Sequence, residues 1–458
     1  MVTLTIFWMV ILVIIIYYTY HHINEFLYHY DYSKVNYVTN MNIFVPTSIK
    51  ELQTFLFTKP KFCILGAGFS HGGHTLLENG FQINMKHINN ISYNPNNQIV
   101  TIGAGCCWYD VINHLLKYNR TIAVMQSYHN FSIGGSISVN CHGRAVKYGS
   151  IANTIVEMTV MLSNGSIIIC DRNNNYDLFS GVIGGYGMLG IIIEAKLITT
   201  SNDKIKCIVI ENNDIYNFDD DVILYNAMIY PSRERFRYGN TYKIYNYVWI
   251  PTDDEITNNN LINSNNRTNY KYLIGQQLLR ISDVAKVIRS RINDSVVNVH
   301  YKSFEIGYDA NELEPLSRHP NTTVLQEYFI PVGAIKIFLR EMLDIINEIN
   351  IINISIRYVK KTTDSVLNHS PVDSYSVVLY FATVNNEFFL RKHTKWTNKM
   401  LDITMRLGGK FYLPYLRTYS KETIMEMYKN ELNRMMELKL KYDPDKLIIN
   451  EWVKYMEL

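Results

Sequence analysis

The chain has 458 residues, 47% hydrophobic and 19% charged, a size for two or three folded units and too apolar for a disordered chain. Its 44 basic and 41 acidic residues leave a net charge of +3, which argues against a nucleic-acid partner. Six scattered Cys, two of them adjacent (Cys106, Cys107), give neither a disulfide framework nor a zinc spacing, so no metal is expected.

The first element is hydrophobic. Val2 to Tyr20 carries no charge, and as a helix it would reach roughly 30 Å at about 1.5 Å per residue, enough to cross a bilayer. No basic side chain precedes it, unlike a cleaved signal, and it ends in interface-type aromatics at Tyr17, Tyr18 and Tyr20. We expect a single-pass membrane anchor over residues 1–22 and a linker over 23–40. Next, Ile43 to Pro46 reads as a strand and Thr47-Ser48 as the cap of a helix over 48–57. Strands follow at 62–65 and 98–102. Ser163-Asn164-Gly165-Ser166 joins strands 155–162 and 167–170 into a hairpin. Residues 201–405 alternate strands with longer helices, among them 275–292 and 333–349, around a polar Asn-rich loop at 253–270. A helix over 420–441 is stopped at Tyr442-Asp443-Pro444.

Three Gly-rich turns stand beside apolar strands. The first is Gly66-Ala67-Gly68-Phe69-Ser70-His71-Gly72-Gly73-His74, the second runs from Ser132 through Gly134, Gly135, Asn140, Cys141 and His142 to Gly143, and the third is Gly184-Gly185-Tyr186-Gly187-Met188-Leu189-Gly190-Ile191-Ile192. Glycine lets backbone approach a ligand closely and turns N–H groups toward phosphate. None of the three is a Rossmann fingerprint or a Walker loop. Together they point to one long ligand threaded between backbone segments.

In this order and spacing the three turns resemble the FAD-binding domain of the vanillyl-alcohol-oxidase (PCMH-type) superfamily. The C-terminal half resembles its sugar-lactone oxidase branch, in Gln326 to Pro331, Ile356-Arg357-Tyr358, Gly408-Gly409-Lys410 and Lys441 to Pro444. The resemblance implies an α+β fold: a two-subdomain FAD domain over 41–200, a cap or substrate domain over 201–405, and a segment over 406–458 that returns to the FAD domain. It further implies that Gly66, Ala67, Gly68, Phe69, Ser70, His71, Gly72 and Gly73 cradle the pyrophosphate. Ser132, Gly134, Gly135, Asn140, Cys141, His142 and Gly143 would line the flavin or its ribityl chain, and Gly185, Gly187, Gly190 and Ile192 the adenine end or flavin edge. Relatives that attach FAD covalently use a His where Phe69 stands, so non-covalent FAD is expected. Cys141 replaces a small residue thought to gate oxygen, which would slow reaction with oxygen and favour another acceptor.

The same branch places a Glu-x-Arg pair and a later Lys against the substrate. Arg357 matches the Arg, Ser355 stands at the Glu position and Tyr415 at the Lys position. Arg357, Tyr412 and Tyr415 are therefore the expected catalytic residues. His393 in the His-x-x-Trp stretch reads as a packing residue. The expected activity is oxidation of a CH–OH group on a sugar, aldonolactone or polyol, with hydride passing to flavin N5 and on to oxygen or another acceptor. Alternatives are a lipid-linked sugar or sterol substrate, as in decaprenylphosphoryl-ribose oxidase, and a non-catalytic flavoprotein.

Overall fold

The computed structural model of the chain describes residues 28–212, 214–215, 220–229, 244–257, 298–307, 321–346 and 349–458, with single positions at 12, 275, 278, 279 and 285. The expected anchor over 1–22 and most of the expected helix 275–292 lie outside the described residues. Among the described residues, no helix is long and apolar enough to cross a membrane.

A short hairpin, β1 (His29–Tyr30) and β2 (Tyr37–Val38), leads into β3 (Met41–Phe44). Helix α1 (Ile49–Leu56) starts where sequence chemistry placed it. Ser48 is extended, its Oγ accepts the Glu51 N–H at 3.2 Å, and the Glu51 carboxylate returns to the Thr47 N–H at 2.8 Å. The helix buries Leu52 and Leu56. β4 (Phe62–Leu65) and β5 (Gly80–Asn84) complete a parallel sheet in the order β3–β5–β4. The chain leaves the end of β4 directly into the first Gly turn.

The second layer follows as β6 (Ile91–Asn94), β7 (Ile99–Gly103), α2 (Trp108–Leu116), β8 (Arg120–Ile122), α3 (Ile133–Ser138), β9 (Ile155–Met161), β10 (Ile167–Asp171), α4 (Tyr176–Val182) and β11 (Ile191–Ser201). Its strands pair antiparallel in the order β10–β9–β11–β7–β6, with β8 against the far end of β11. The 163–166 hairpin forms as expected: Gly165 takes φ +82°, and the Leu162 N–H donates to Ser166 O at 2.8 Å.

The cap is one antiparallel sheet, built from β12 (Lys204–Asn212), β13 (Leu224–Ile229), β14 (Ile244–Pro251), β15 (Val299–Tyr301), β16 (Asn321–Pro331), β17 (Ile351–Val359), β18 (Ser374–Val384) and β19 (Lys410–Phe411). The strand order is β15–β12–β14–β13–β17–β18–β16–β19. Helices α5 (Ile335–Ile346) and α6 (Glu387–Arg406) accompany it. On α6, the Trp396 indole N–H donates to His393 Nδ1 at 2.8 Å, and His393 Nε2 meets the Thr383 hydroxyl, the packing role expected of His393.

The expected continuous helix over 420–441 is two helices, α7 (Lys421–Met427) and α8 (Lys429–Tyr442). They meet at Tyr428, which leaves helical geometry at φ −115°, ψ 23°, while its buried hydroxyl donates to Phe411 O at 2.7 Å. Past α8 the chain runs alongside β4. The Phe62 N–H donates to Leu447 O at 2.8 Å and the Ile449 N–H to Phe62 O at 2.9 Å, before α9 (Glu451–Met456). Residues 447–449 thus run beside β4 as its second neighbour, parallel to it, on the side away from β5.

Candidate active site

The first two Gly turns are locked to each other. The Ala67 N–H donates to Ser132 Oγ at 3.0 Å, and a Cβ on Gly66 would sit 2.0 Å from that same oxygen. Gly68 and Gly73 have φ of +84° and +78°, values that L side chains rarely adopt. Gly134 passes so close to Ala104 that its N–H donates to Ala104 O at 2.8 Å, and an added Cβ would be 3.0 Å from the Ala104 methyl. In the third turn, Gly187 takes φ +73° and a Cβ on Gly190 would lie 2.6 Å from Val160. The three turns border a cavity of about 830 Å³ that runs from them to the cap sheet, within the usual range for ligand sites of ~300–1,000 Å³.

Gly66, Ala67, Gly68, Phe69, Ser70, His71, Ser132, Gly134, Gly135, His142, Gly187, Gly190 and Ile192 line the cavity, as do Arg357, Tyr412 and Tyr415. The other expected cofactor residues stand behind the wall. Gly72 lets the loop pass Tyr415 O, to which a Cβ would come within 3.0 Å. The Gly73 N–H is taken by Asp31. Gly143 and Gly185 allow close backbone approach to Met125 and Gly181, with no room for a Cβ. Asn140 is left-handed at φ +48° and its Oδ1 accepts the Ala152 N–H. Cys141 is fully buried in the hydrophobic core and off the cavity surface, and burial pushes its thiol up. The expectation that this thiol stands between oxygen and the flavin therefore loses its geometric basis.

Around the cavity, His74 Nε2, His142 Nδ1 and Arg357 Nε, with Asn140 Nδ2 just behind, are buried without a hydrogen-bond partner among the described residues. A buried donor or acceptor costs about 1–3 kcal/mol when left unmatched, so their clustering here fits a polar ligand such as FAD. The backbone cradle fits its pyrophosphate without a basic patch.

Sequence reasoning passed over the 28–38 segment, which forms one wall. Tyr32 lines the cavity, with its ring 4.6 Å from Phe69 and 5.5 Å from His71, and its N–H donates to Ser70 O at 3.0 Å. Asn36 Nδ2 donates to His71 O at 2.8 Å, and Arg417 Nη2 donates to Asn36 Oδ1 at 2.6 Å. Asp31 is the hub, accepting from Ser33, from Asn36 Nδ2 at 2.6 Å and from Gly73.

The polar end of the cap sheet was also only half seen. Glu327, on β16, is buried and takes His142 Nε2 on Oε1 at 2.6 Å, alongside the Ser376 hydroxyl, while Tyr415 donates to its Oε2 at 3.0 Å. Burial alone would raise its pKa. The neighbouring His142, the Arg357 charge and the Ser376 hydroxyl outweigh that and hold it at about 2. Tyr412 spends its hydroxyl on Val139 O at 2.8 Å, and burial raises its pKa well above the usual range. It therefore reads as a wall and not as the proton-transfer group expected of it. Tyr415 is likewise raised, by burial and then by Glu327. Ser355 lines the cavity and donates to Asn226 Oδ1 at 2.9 Å.

At the other end of the cap sheet, Arg144 is bridged to Glu305, whose Oε2 meets His300 Nε2 at 2.9 Å, and its guanidinium lies 5.1 Å from the Trp249 ring centre. Among the described residues no cluster has metal-binding composition.

Residues 42–171 match the FAD binding domain family, and residues 232–456 match the D-arabinono-1,4-lactone oxidase family. Together the two matches mark the chain as an FAD-linked oxidoreductase, similar to the sugar-lactone oxidase-like branch of the vanillyl-alcohol-oxidase superfamily. FAD is the cofactor of this oxidoreductase fold. Cytokinin dehydrogenase 2 of Arabidopsis thaliana is 25% identical over 176 residues, 37% of this chain and 35% of that protein. L-gulonolactone oxidase of Mus musculus is 26% identical over 157 residues, 33% of this chain and 36% of that protein. The chain thus matches about a third of the length of these curated relatives.

Proposed function

We propose that this flavoprotein oxidises a CH–OH group on a sugar, aldonolactone or polyol. One observation carries the reading: the glycine-lined half of the cavity and the polar end of the cap sheet, with Arg357, Ser355, Tyr415 and Glu327, face a single enclosed space. When bound there, FAD supplies a two-electron acceptor for the C–H hydrogen. The protein's part is to orient the substrate. Arg357 offers a fixed cationic fork to oxygen atoms of the substrate, and its Nε has no hydrogen-bond partner among the described residues. Tyr415, with its proton already directed at Glu327, presents its oxygen lone pairs to a substrate hydroxyl. Phe69 stands in the first turn where covalent relatives carry His, which supports non-covalent FAD.

A second reading, an alcohol carried on a lipid, is favoured by the apolar stretch of the cap face, where Val209, Met228, Leu325, Ile352 and Val378 line the same cavity. The uncharged stretch from Val2 to Tyr20 supports a single-pass membrane anchor, which would suit such a substrate. The test is anaerobic bleaching of the purified flavoprotein with D-arabinono-1,4-lactone, L-gulono-1,4-lactone, sugar alcohols and polyprenyl-phosphate sugars. Bleaching by the first three groups supports the first reading. Bleaching only by the last supports the second, and a protein that takes up no FAD defeats both.

A further inference from the structure

We propose that Glu327 is the carboxylate of this active site and that it receives the proton of the substrate hydroxyl through Tyr415. The inference rests on the oxidoreductase reading above. The resemblance implies a carboxylate two residues before Arg357, and here that position is Ser355. Across the cap sheet, Ser355 on β17 and Glu327 on β16 both pair with Val378 on the intervening β18. Residues paired across neighbouring strands point to the same face. Glu327 therefore lies in the same row as Ser355, two strands or about 10 Å along the sheet. The carboxylate absent from one strand is present on another, and it lines the same cavity.

Its neighbours fit that role. The branch's Lys position holds Tyr415, whose hydroxyl donates to Glu327 Oε2 at 3.0 Å. A buried tyrosine with a raised pKa is a poor base by itself and needs an acceptor behind it. Glu327 is that acceptor, kept ionised by His142 on Oε1 and by the Arg357 charge. Two further titratable groups, His369 and Tyr412, close the pocket behind His142 at ring distances of 6.1 and 5.9 Å. Burial first, then the neighbouring His142, lowers His369 to about 3, so it stays neutral. Tyr412 is committed to Val139 O. His369 does not line the cavity, so it does not meet the substrate hydroxyl.

The step balances as follows. The substrate's C–H hydrogen leaves with two electrons to FAD. As the C=O double bond forms, the hydroxyl proton passes to the Tyr415 oxygen and the Tyr415 proton passes to Glu327 Oε2. One CH–OH is oxidised, FAD is reduced and Glu327 takes up one proton, which its low pKa returns to solvent as the product leaves. Tyr415 is the residue that touches the substrate, and Glu327 acts through it.

The experiment uses the full FAD-loaded chain and whichever of the lactones or alcohols named above bleaches it. We expect Glu327→Gln and Tyr415→Phe each to slow flavin reduction on the order of 10²-fold with little change in KM and an unchanged flavin-to-protein ratio. The double variant should be no slower than either single, and Glu327→Asp should recover part of the rate. Independently of the absolute rate, flavin reduction of the wild-type protein should slow in D₂O, and Tyr415→Phe and Glu327→Gln should each diminish this solvent isotope effect. A Glu327→Gln protein that reduces at the wild-type rate, additive losses in the double variant, or an undiminished solvent isotope effect in Glu327→Gln overturns the proposal. Should Glu327→Gln fail to hold FAD, the Tyr415→Phe rate and its isotope effect decide it. If no compound bleaches the wild-type flavin, the oxidoreductase reading falls and the relay with it. Wild-type bleaching without the variant effects removes the relay alone.

Discussion

The Gly73 backbone N–H donates to the buried Asp31 carboxylate at 3.1 Å. This ties the last glycine of the first Gly turn to a segment that no sequence motif marks. Through Asp31, Tyr32 and Asn36 the 28–38 segment straps the cofactor loop from outside. Removing the carboxylate leaves the donors of Ser33, Asn36 and Gly73 to find new partners in a buried site, at about 1–3 kcal/mol for each one left unmatched. We expect Asp31→Ala to fold but to lose FAD on extended dialysis, read as a fall in the flavin-to-protein absorbance ratio, while the wild type keeps its flavin.

Gly66 gives a sharper test of the cradle. Its Cβ would fall 2.0 Å from Ser132 Oγ and 3.6 Å from the next backbone atom, the Gly135 nitrogen. Gly66→Ala should therefore abolish FAD uptake by pushing the two turns apart. Adding Ser132→Gly removes the clash, and the double variant should regain part of the FAD content. Equal FAD loss in single and double variants would count against this packing.

The Glu327 pair also sets an acid limit. Its carboxyl sits at about 2 in the fold against 4.5 for an unperturbed glutamate. A depressed folded pKa stabilises the protein above 4.5, and that contribution, up to about 3 kcal/mol, is lost as pH falls from 4.5 toward 2. The stability gap between wild type and Glu327→Gln, measured by urea unfolding, should be widest near neutral pH and should close through this window. A gap that stays constant from pH 7 to 3 would mean that the carboxyl is not held low.

Lys439 and Asp443 form a buried ion pair at 2.6 Å. Lys439 also donates to Met188 O at 2.8 Å and to Ile448 O, and Asp443 accepts the Leu447 and Ile448 N–H groups. Lys439→Met leaves that carboxylate uncompensated and should cost about 3–5 kcal/mol, read as a lowered denaturant midpoint. Lys439→Met combined with Asp443→Leu should recover part of the loss.

The glycine turns were legible in the sequence because their requirement is local: a positive φ or a missing Cβ shows as Gly wherever the chain must pass close to itself. The hairpin at Gly165 and the cap at Ser48 were legible for the same reason. Glu327 was not, because its meaning depends on register. Nothing in Gln326-Glu327-Tyr328 says that Val378 will align it with Ser355 two strands away. The strap was hidden because Asp31 to Asn36 has no periodicity, and its partners are backbone groups of distant turns. The break at Tyr428 was hidden because the residues on either side suit a helix. What interrupts it is the buried hydroxyl bond to Phe411.

The segment that runs beside β4 has a consequence for how the protein is made. Phe62 receives its Leu447 and Ile449 partners, and His74 its stacking partner Trp452 at 5.3 Å, from the far end of the chain. On the ribosome the cofactor loop is synthesised early, yet its surroundings stay open until nearly four hundred further residues have followed. If those contacts hold the cofactor loop, a chain truncated before Leu447 should fail to take up flavin and should be colourless.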